Sequence, residues 1–151
     1  MVRDLLISHP LPENLVIVPT QRVEADQLAL SSRNVYLTSK ERPFAPTLYE
    51  ALSAGKHAWE DISGSGSREG VFMAANEIIK KRGEEASKVG VKMKLEYVKV
   101  NDPDTFEIVD WYRGERPDDQ PVIISGALWI GNTRLIDNLL SGDTTEIFGK
   151  L

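Results

Sequence analysis

Cysteine is absent from the 151-residue sequence. That excludes a disulfide framework and any thiolate metal site, and it suits a reducing compartment. Histidine is nearly absent too, with only His9 and His57. No metal-ligand cluster and no nucleophile–base pair can be assembled from the residue spacing. Long apolar runs are missing: none approaches the roughly 20 residues needed to cross a bilayer. The N-terminus has neither the apolar core nor the small-residue cleavage site of a signal peptide. There is no basic block either. A net charge of -5 spread along the chain argues against nonspecific nucleic-acid binding. The expectation from these absences is a cytoplasmic protein with no nucleic-acid and no membrane partner.

What is present is ordinary for a globular protein, with 41% hydrophobic and 27% charged residues. The length suits one domain, or one domain plus an arm. Met1 to Ile7 reads as the end of a helix that begins inside its apolar pattern without an N-cap, as a cut through a longer protein would. His9-Pro10-Leu11-Pro12 breaks it. Leu15 to Val18, closed by Pro19, has the continuous apolar character of a strand buried on both faces. It either joins the edge of a larger sheet or serves as a tether.

Thr38 and Glu41 stand at capping-box spacing and open a helix expected to run to about Glu60, with Ser39 an alternative N-cap because Pro43 follows so closely. Ile62 to Gly70 is a Ser/Gly connection. A second helix carries Val71, Ala75, Ile78, Ile79 and Arg82 on one face, and the charged, turn-rich segment Gly83 to Gly90 is expected to end it. Then the period changes. Met93, Leu95 and Tyr97 alternate with charged residues, while Val98 and Val100 fall on the opposite parity, which a bulge or a second buried face would explain. Asn101 to Asp104 is a turn, Phe106 and Ile108 start a return strand, and Arg113 to Gln120 is a charged loop. Val122 to Ile130 is a further strand, and Gly131-Asn132 turns it into an antiparallel partner at Thr133 to Leu139. The pattern predicts an α+β fold of two helices packed on a small antiparallel sheet. Residues 1–35 form an arm and hinge, 36–140 the α+β domain and 141–151 a tail.

Chemistry concentrates in one stretch, Asp26 to Leu37. Ser31 and Ser32 can donate to phosphate oxygens, and Arg33 offers a planar fork suited to two oxygens at once. Loop placement leaves backbone N–H groups to join them. On residue types alone, a Ser-rich turn with a surface arginine is the commoner reading. His57 reads as a surface or boundary residue, Trp59, Trp111 and Trp129 as core or sheet-face aromatics, and Glu41, Glu50 and Glu60 as solvated helix faces. Asp137 and Asn138 suit either a domain interface or a turn.

Val18-Pro19-Thr20, Leu28 to Leu37, Glu41-Arg42 and Thr133 to Asn138 occur together in an order and spacing that resembles the pantothenate synthetase (pantoate–β-alanine ligase) family, over its C-terminal part. The resemblance implies an ATP-dependent, AMP-forming ligase. In that reaction pantoate attacks the α-phosphorus of ATP, and β-alanine then displaces AMP from the pantoyl adenylate. It implies that residues 1–35 are left over from a Rossmann-like nucleotidyltransferase domain, and that the α+β domain is a lid. Ser31, Ser32 and Arg33 would be catalytic as the phosphate-clamping loop, with Gln21 and Leu30 supplying backbone contacts to the nucleotide. Mg²⁺ would arrive with ATP, no protein metal ligands are expected, and a homodimer is compatible with the resemblance. The sequence lacks the family's His-x-Gly-His and Gly-x-Lys-Asp elements, so the isolated chain is expected to be inactive. The family's glycine before Leu28 is Gln27 here, which takes a left-handed option from the loop. The competing expectation is a non-catalytic association module that keeps a relic loop.

Overall fold

The computed structural model describes residues 20–61, 67–109 and 121–142. The expectations for Met1–Ile7, Leu15–Val18, Trp111, Arg113–Gln120 and most of the tail lie outside these residues. Helix α1 spans Thr47–Glu60 and helix α2 spans Arg68–Lys88. Strands β1, β2 and β3 span Met93–Asn101, Val122–Ile130 and Thr133–Ser141, in sheet order β1-β2-β3. All pairing is antiparallel. The expected two helices on a small antiparallel sheet are what the chain forms.

The strand period decides which face is covered. Val122, Ile124, Leu128 and Ile130 are fully buried, and with Gly126 they turn one face of β2 toward the helices. In β1 the register slips between Leu95 and Tyr97, so Glu96 is the extra residue of a bulge. That slip explains the parity change in the sequence. Met93 and Leu95 pack on the core before it, and Val98 and Val100 after it. Gly131 takes φ +55 in the two-residue turn between β2 and β3, while Asn132 keeps negative φ. The left-handed φ is what requires glycine at 131; a Cβ there would also displace the flexible end of the Glu41 side chain.

Three local expectations are corrected. The Thr38–Glu41 capping box forms, with Thr38 N–H donating to Glu41 Oε2 (2.8 Å) and Glu41 N–H to Thr38 Oγ1 (3.3 Å). It caps a turn and the 3-10 segment Arg42–Phe44, however, and α1 begins only after Pro46. Second, α2 runs straight through Gly83. A mid-helix glycine costs about 1 kcal/mol relative to alanine. Opposing this, Ala86 is fully buried and Arg82 binds Glu85 (2.8 Å) and the Pro43 carbonyl (3.1 Å). The helix stops at a Schellman arrangement: Gly90 at φ +79, Val91 N–H to Ala86 O at 2.9 Å and Gly90 N–H to Ser87 O at 3.1 Å. Third, the expected return strand does not begin at Phe106: it meets β1 through an antiparallel bridge of Asn101 with Ile108, and its continuation lies outside the described residues. Asp102 Oδ1 gathers the N–H groups of Asp104 and Thr105, and Phe106 takes φ +61, which interrupts extended geometry.

Both helices lie on the same face of the sheet, α1 over β2 and β3 and α2 over β1. Leu48, Ala51, Leu52 and Trp59 fill the gap below α1, each contributing on the order of 1.5–3 kcal/mol for the larger side chains. Close approach is made by two glycines. A Cβ on Gly126 would stand 3.1 Å from Leu48 Cδ1 and Leu52 Cδ2 and 3.2 Å from the Tyr97 carbonyl oxygen. One on Gly55 would stand 2.9 Å from Val71 Cγ1 and 3.2 Å from Val71 O.

Gly126→Ala should therefore overpack the seat of α1 and destabilise the domain by roughly 1–3 kcal/mol. Urea unfolding followed by far-UV circular dichroism would show a lower midpoint, and an unchanged midpoint would mean that α1 has room to move.

Candidate functional site

The chain enters the described region as a tight hairpin. Arg22 and Ala29 form an antiparallel bridge, flanked by Leu30 N–H to Gln21 O and Val23 N–H to Leu28 O, both 2.8 Å. Gln27 closes the hairpin at φ 60, so the backbone takes the left-handed conformation at a residue that is not glycine. Asp26 supports the turn from within, accepting from Leu28 N–H at 3.2 Å and from Arg42 Nη1 at 2.6 Å. The Arg42 guanidinium holds the Asp26 carboxyl below its ordinary pKa against the opposing pull of partial burial.

Ser31 then caps the 3-10 segment Ser32–Tyr36 from an extended backbone, φ -151 and ψ 142. Its Oγ accepts from Arg33 N–H at 3.2 Å. Accepting that bond leaves the hydroxyl hydrogen able to donate outward. Asn34 ties the turn back to the hairpin through Nδ2 to Ala29 O at 3.0 Å. Its Oδ1 is buried and has no partner among the described residues. Ser31, Ser32 and Arg33 are all exposed, as are Leu30, Val35 and Tyr36.

This segment closes one side of an open recess. Ser31, Arg33 and Asn34 line it from the loop, Tyr49 from α1, and Arg134 and Asp137 from β3. The structure thus brings Ser31 and Arg33 together at one recess. Ser32 stands exposed beside them, outside the lining. Gln21 and Leu30 do not line it either, and the Gln21 carbonyl and the Leu30 N–H are joined to each other.

Charge in the recess is mostly cancelled in pairs. Asp137 receives two bonds from Arg22, Nη1 to Oδ2 at 2.6 Å and Nη2 to Oδ1 at 2.9 Å. The two side chains are only 12% (Arg22) and 6% (Asp137) exposed. Arg134 grips Glu96 with Nε at 2.8 Å and Nη2 at 2.9 Å, and Trp129 Nε1 adds a third bond at 2.8 Å. The Arg134 guanidinium first, then the Trp129 N–H, hold Glu96 down to about 2. Arg33 has no carboxylate partner among the described residues. It therefore sets the sign of the recess, and the sign is positive. Two exposed hydroxyls beside an uncompensated guanidinium are suited to an anion with several oxygens, such as a phosphate chain. No group of three or more His, Cys, Asp or Glu among the described residues could hold a metal ion.

Other sequence-level candidates take structural roles. Trp59 is buried in the core, Trp129 is the sheet-face donor to Glu96, and His57 is exposed in the last turn of α1. Glu60 reaches the end of β3, accepting from Ser141 Oγ at 2.9 Å. Arg22 was not singled out by its sequence at all. The available signal lay in its partner: Asp137 shares strand parity with Thr133, Leu135 and Leu139, so a carboxylate on the covered face of β3 calls for a cation.

Comparison with known proteins adds an independent line. The family model described as pantoate-beta-alanine ligase matches residues 1–140. The chain is 41% identical over 140 residues to a pantothenate synthetase of Thermobifida fusca, covering 92% of this chain and 40% of that protein. It is 36% identical over 140 residues to one of Moorella thermoacetica, covering 93% and 42%. A crystal structure of pantoate-beta-alanine (pantothenate synthetase) from Thermus thermophilus superposes with a TM-score of 0.66 at 33% identity, covering 91% of this chain and 44% of that one. The chain spans about two fifths of the length of these relatives.

Two outcomes follow from the geometry. Gln27→Gly should raise stability by about 0.5–1 kcal/mol, because removing the strain of a left-handed Gln exceeds the added entropy of the unfolded chain. A thermal melt no higher than that of the parent would refute the strain. The Glu96 carboxylate has a folded pKa lowered from 4.5 to about 2. Its stabilising contribution is complete above the unfolded value and is lost as pH falls from 4.5 toward 2. The difference in melting temperature between the parent and Glu96→Gln should therefore shrink steadily across that window. A difference constant with pH would remove the Arg134 pairing as its cause.

Proposed function

Because the chain belongs to the pantoate-beta-alanine ligase family, we propose that it is the C-terminal lid portion of a pantothenate synthetase. The longer protein would condense pantoate with β-alanine and split ATP to AMP and pyrophosphate. The observation that supports the reading is the recess beside Ser31 and Arg33, where Arg33 is the cation left without a carboxylate among the described residues.

The chemistry asks for such a group. When a pantoate carboxylate oxygen attacks the α-phosphorus, the bond to the bridging oxygen breaks and negative charge accumulates on the departing pyrophosphate. Donors placed at those oxygens lower the barrier, and removing one costs on the order of 10²–10³ in turnover. Arg33 would grip two phosphate oxygens, and the Ser31 and Ser32 hydroxyls would donate to others. Gln21 and Leu30 would frame the nucleotide from the hairpin strands. Mg²⁺ would reach the site on the ATP phosphates and offset their charge. The exposed Leu30, Val35 and Tyr36 flank the loop and would be covered when the lid closes and water is excluded. Pantoate, β-alanine and the second half of the ATP site would belong to the part of the longer protein that precedes this chain.

In the full-length protein, Arg33→Ala should lower turnover by about 10²-fold or more with an unchanged melting temperature. The 151-residue chain alone should form no pantothenate. Full turnover by the Arg33 variant would remove that residue from the site, and pantothenate formation by the chain alone would overturn the lid assignment.

A further inference from the structure

We propose that the Arg22–Asp137 pair is a latch that makes the Ser31–Arg33 loop part of the same rigid body as the α+β domain, so that Arg22 and Asp137 are positioning residues for phosphate recognition. The inference rests on the functional reading above for its consequence, but not for the latch itself.

The pair joins residues 115 positions apart through two parallel bonds, 2.6 and 2.9 Å long. Both partners are largely buried, and the guanidinium also lies over the Tyr49 ring, 4.4 Å from its centroid. Arg22 Nη1 reaches the Gln27 carbonyl at 3.2 Å, and Nη2 reaches the Asn138 carbonyl at 3.5 Å. One side chain thus binds its own hairpin turn, α1 and β3 together. A planar fork with fixed donors loses little freedom in doing so.

From there the connection to the loop is short. The Arg22 backbone bridges Ala29, the Ala29 carbonyl accepts from Asn34 Nδ2, and Asn34 sits in the 3-10 turn capped by Ser31. Every step is a backbone pairing or a short side-chain bond. Arg33 would then travel with β3 instead of swinging on its own. The Asp137 carboxylate borders the same recess as Arg33, yet its charge is spent on Arg22.

The test uses amide hydrogen exchange on the 151-residue chain, comparing the parent with Asp137→Asn and with the milder Arg22→Lys. The expected result is at least about 10-fold faster exchange at Val23 and Leu30, with Ile124 and Leu128 in β2 within about 2-fold of the parent. Unchanged rates at Val23 and Leu30, or acceleration of β2 in parallel, would overturn the latch. Parallel acceleration, like failure of both variants to fold, would mark a general stabiliser. In the full-length protein, Asp137→Asn should lower kcat/KM for ATP about 10-fold or more in the parent background. In the Arg33→Ala background it should do so by less than about 2-fold, because a residue that acts only through the loop has nothing left to position. Equal losses in both backgrounds would overturn the positioning role. A full-length parent that forms no pantothenate would refute the functional reading instead, and the exchange result would still decide the latch.

Discussion

Helix α1 is seated against its neighbours at two glycines, one on each side of the contact. Gly126 lets Leu48 and Leu52 down onto the middle of β2, and Gly55 lets Val71 and its carbonyl come against α1 from the other side. Interiors pack at crystal-like density, so a single methyl at either position requires the facing side chains or backbone to give way. The depth of α1 in turn sets where Ala45, Leu48 and Tyr49 stand relative to β3, and those residues form the floor of the recess. The geometry that faces the loop is thus inherited from packing several residues away.

On that floor the charges are sorted by pairing. The inward carboxylate of Asp137 and the outward carboxylate of Glu96 each hold an arginine in a two-point grip. Two-point grips fix orientation as well as charge. Their result is a surface on which Arg33 is the uncompensated group beside two hydroxyls. A phosphate-binding role does not need a large net positive charge, and this chain, at -5, does not have one. It needs local neutralisation of everything except the cation that binds.

Much of this was legible from local pattern. The parity change between Tyr97 and Val98 pointed to a bulge or a second buried face, of which the register shows the bulge, and Gly131-Asn132 located the β2–β3 turn. Where the reading failed, a local rule met a distant contact. Gly83 reads as a helix end, but Arg82 has partners on Glu50 and Pro43 that the helix itself cannot reveal. Thr38 and Glu41 form their box, yet Pro43 and Pro46 delay the helix to Thr47. Gln27 reads as the loss of a left-handed position, whereas hairpin closure and the Asp26–Arg42 pair impose that conformation on it.

Residue order was enough to set the two helices, the three paired strands, and the family to which the Leu28–Leu37 and Thr133–Asn138 elements point. Those follow from periodicity and short-range chemistry, which operate within a few residues. It took the folded chain to settle that Arg22 pairs with Asp137, that Glu96 is held by Arg134 and Trp129, and that Ser31 and Arg33 border one recess with Arg134 and Asp137. Such pairings join residues tens of positions apart. They depend on how closely α1 and the hairpin settle on β3, and no local pattern carries that distance.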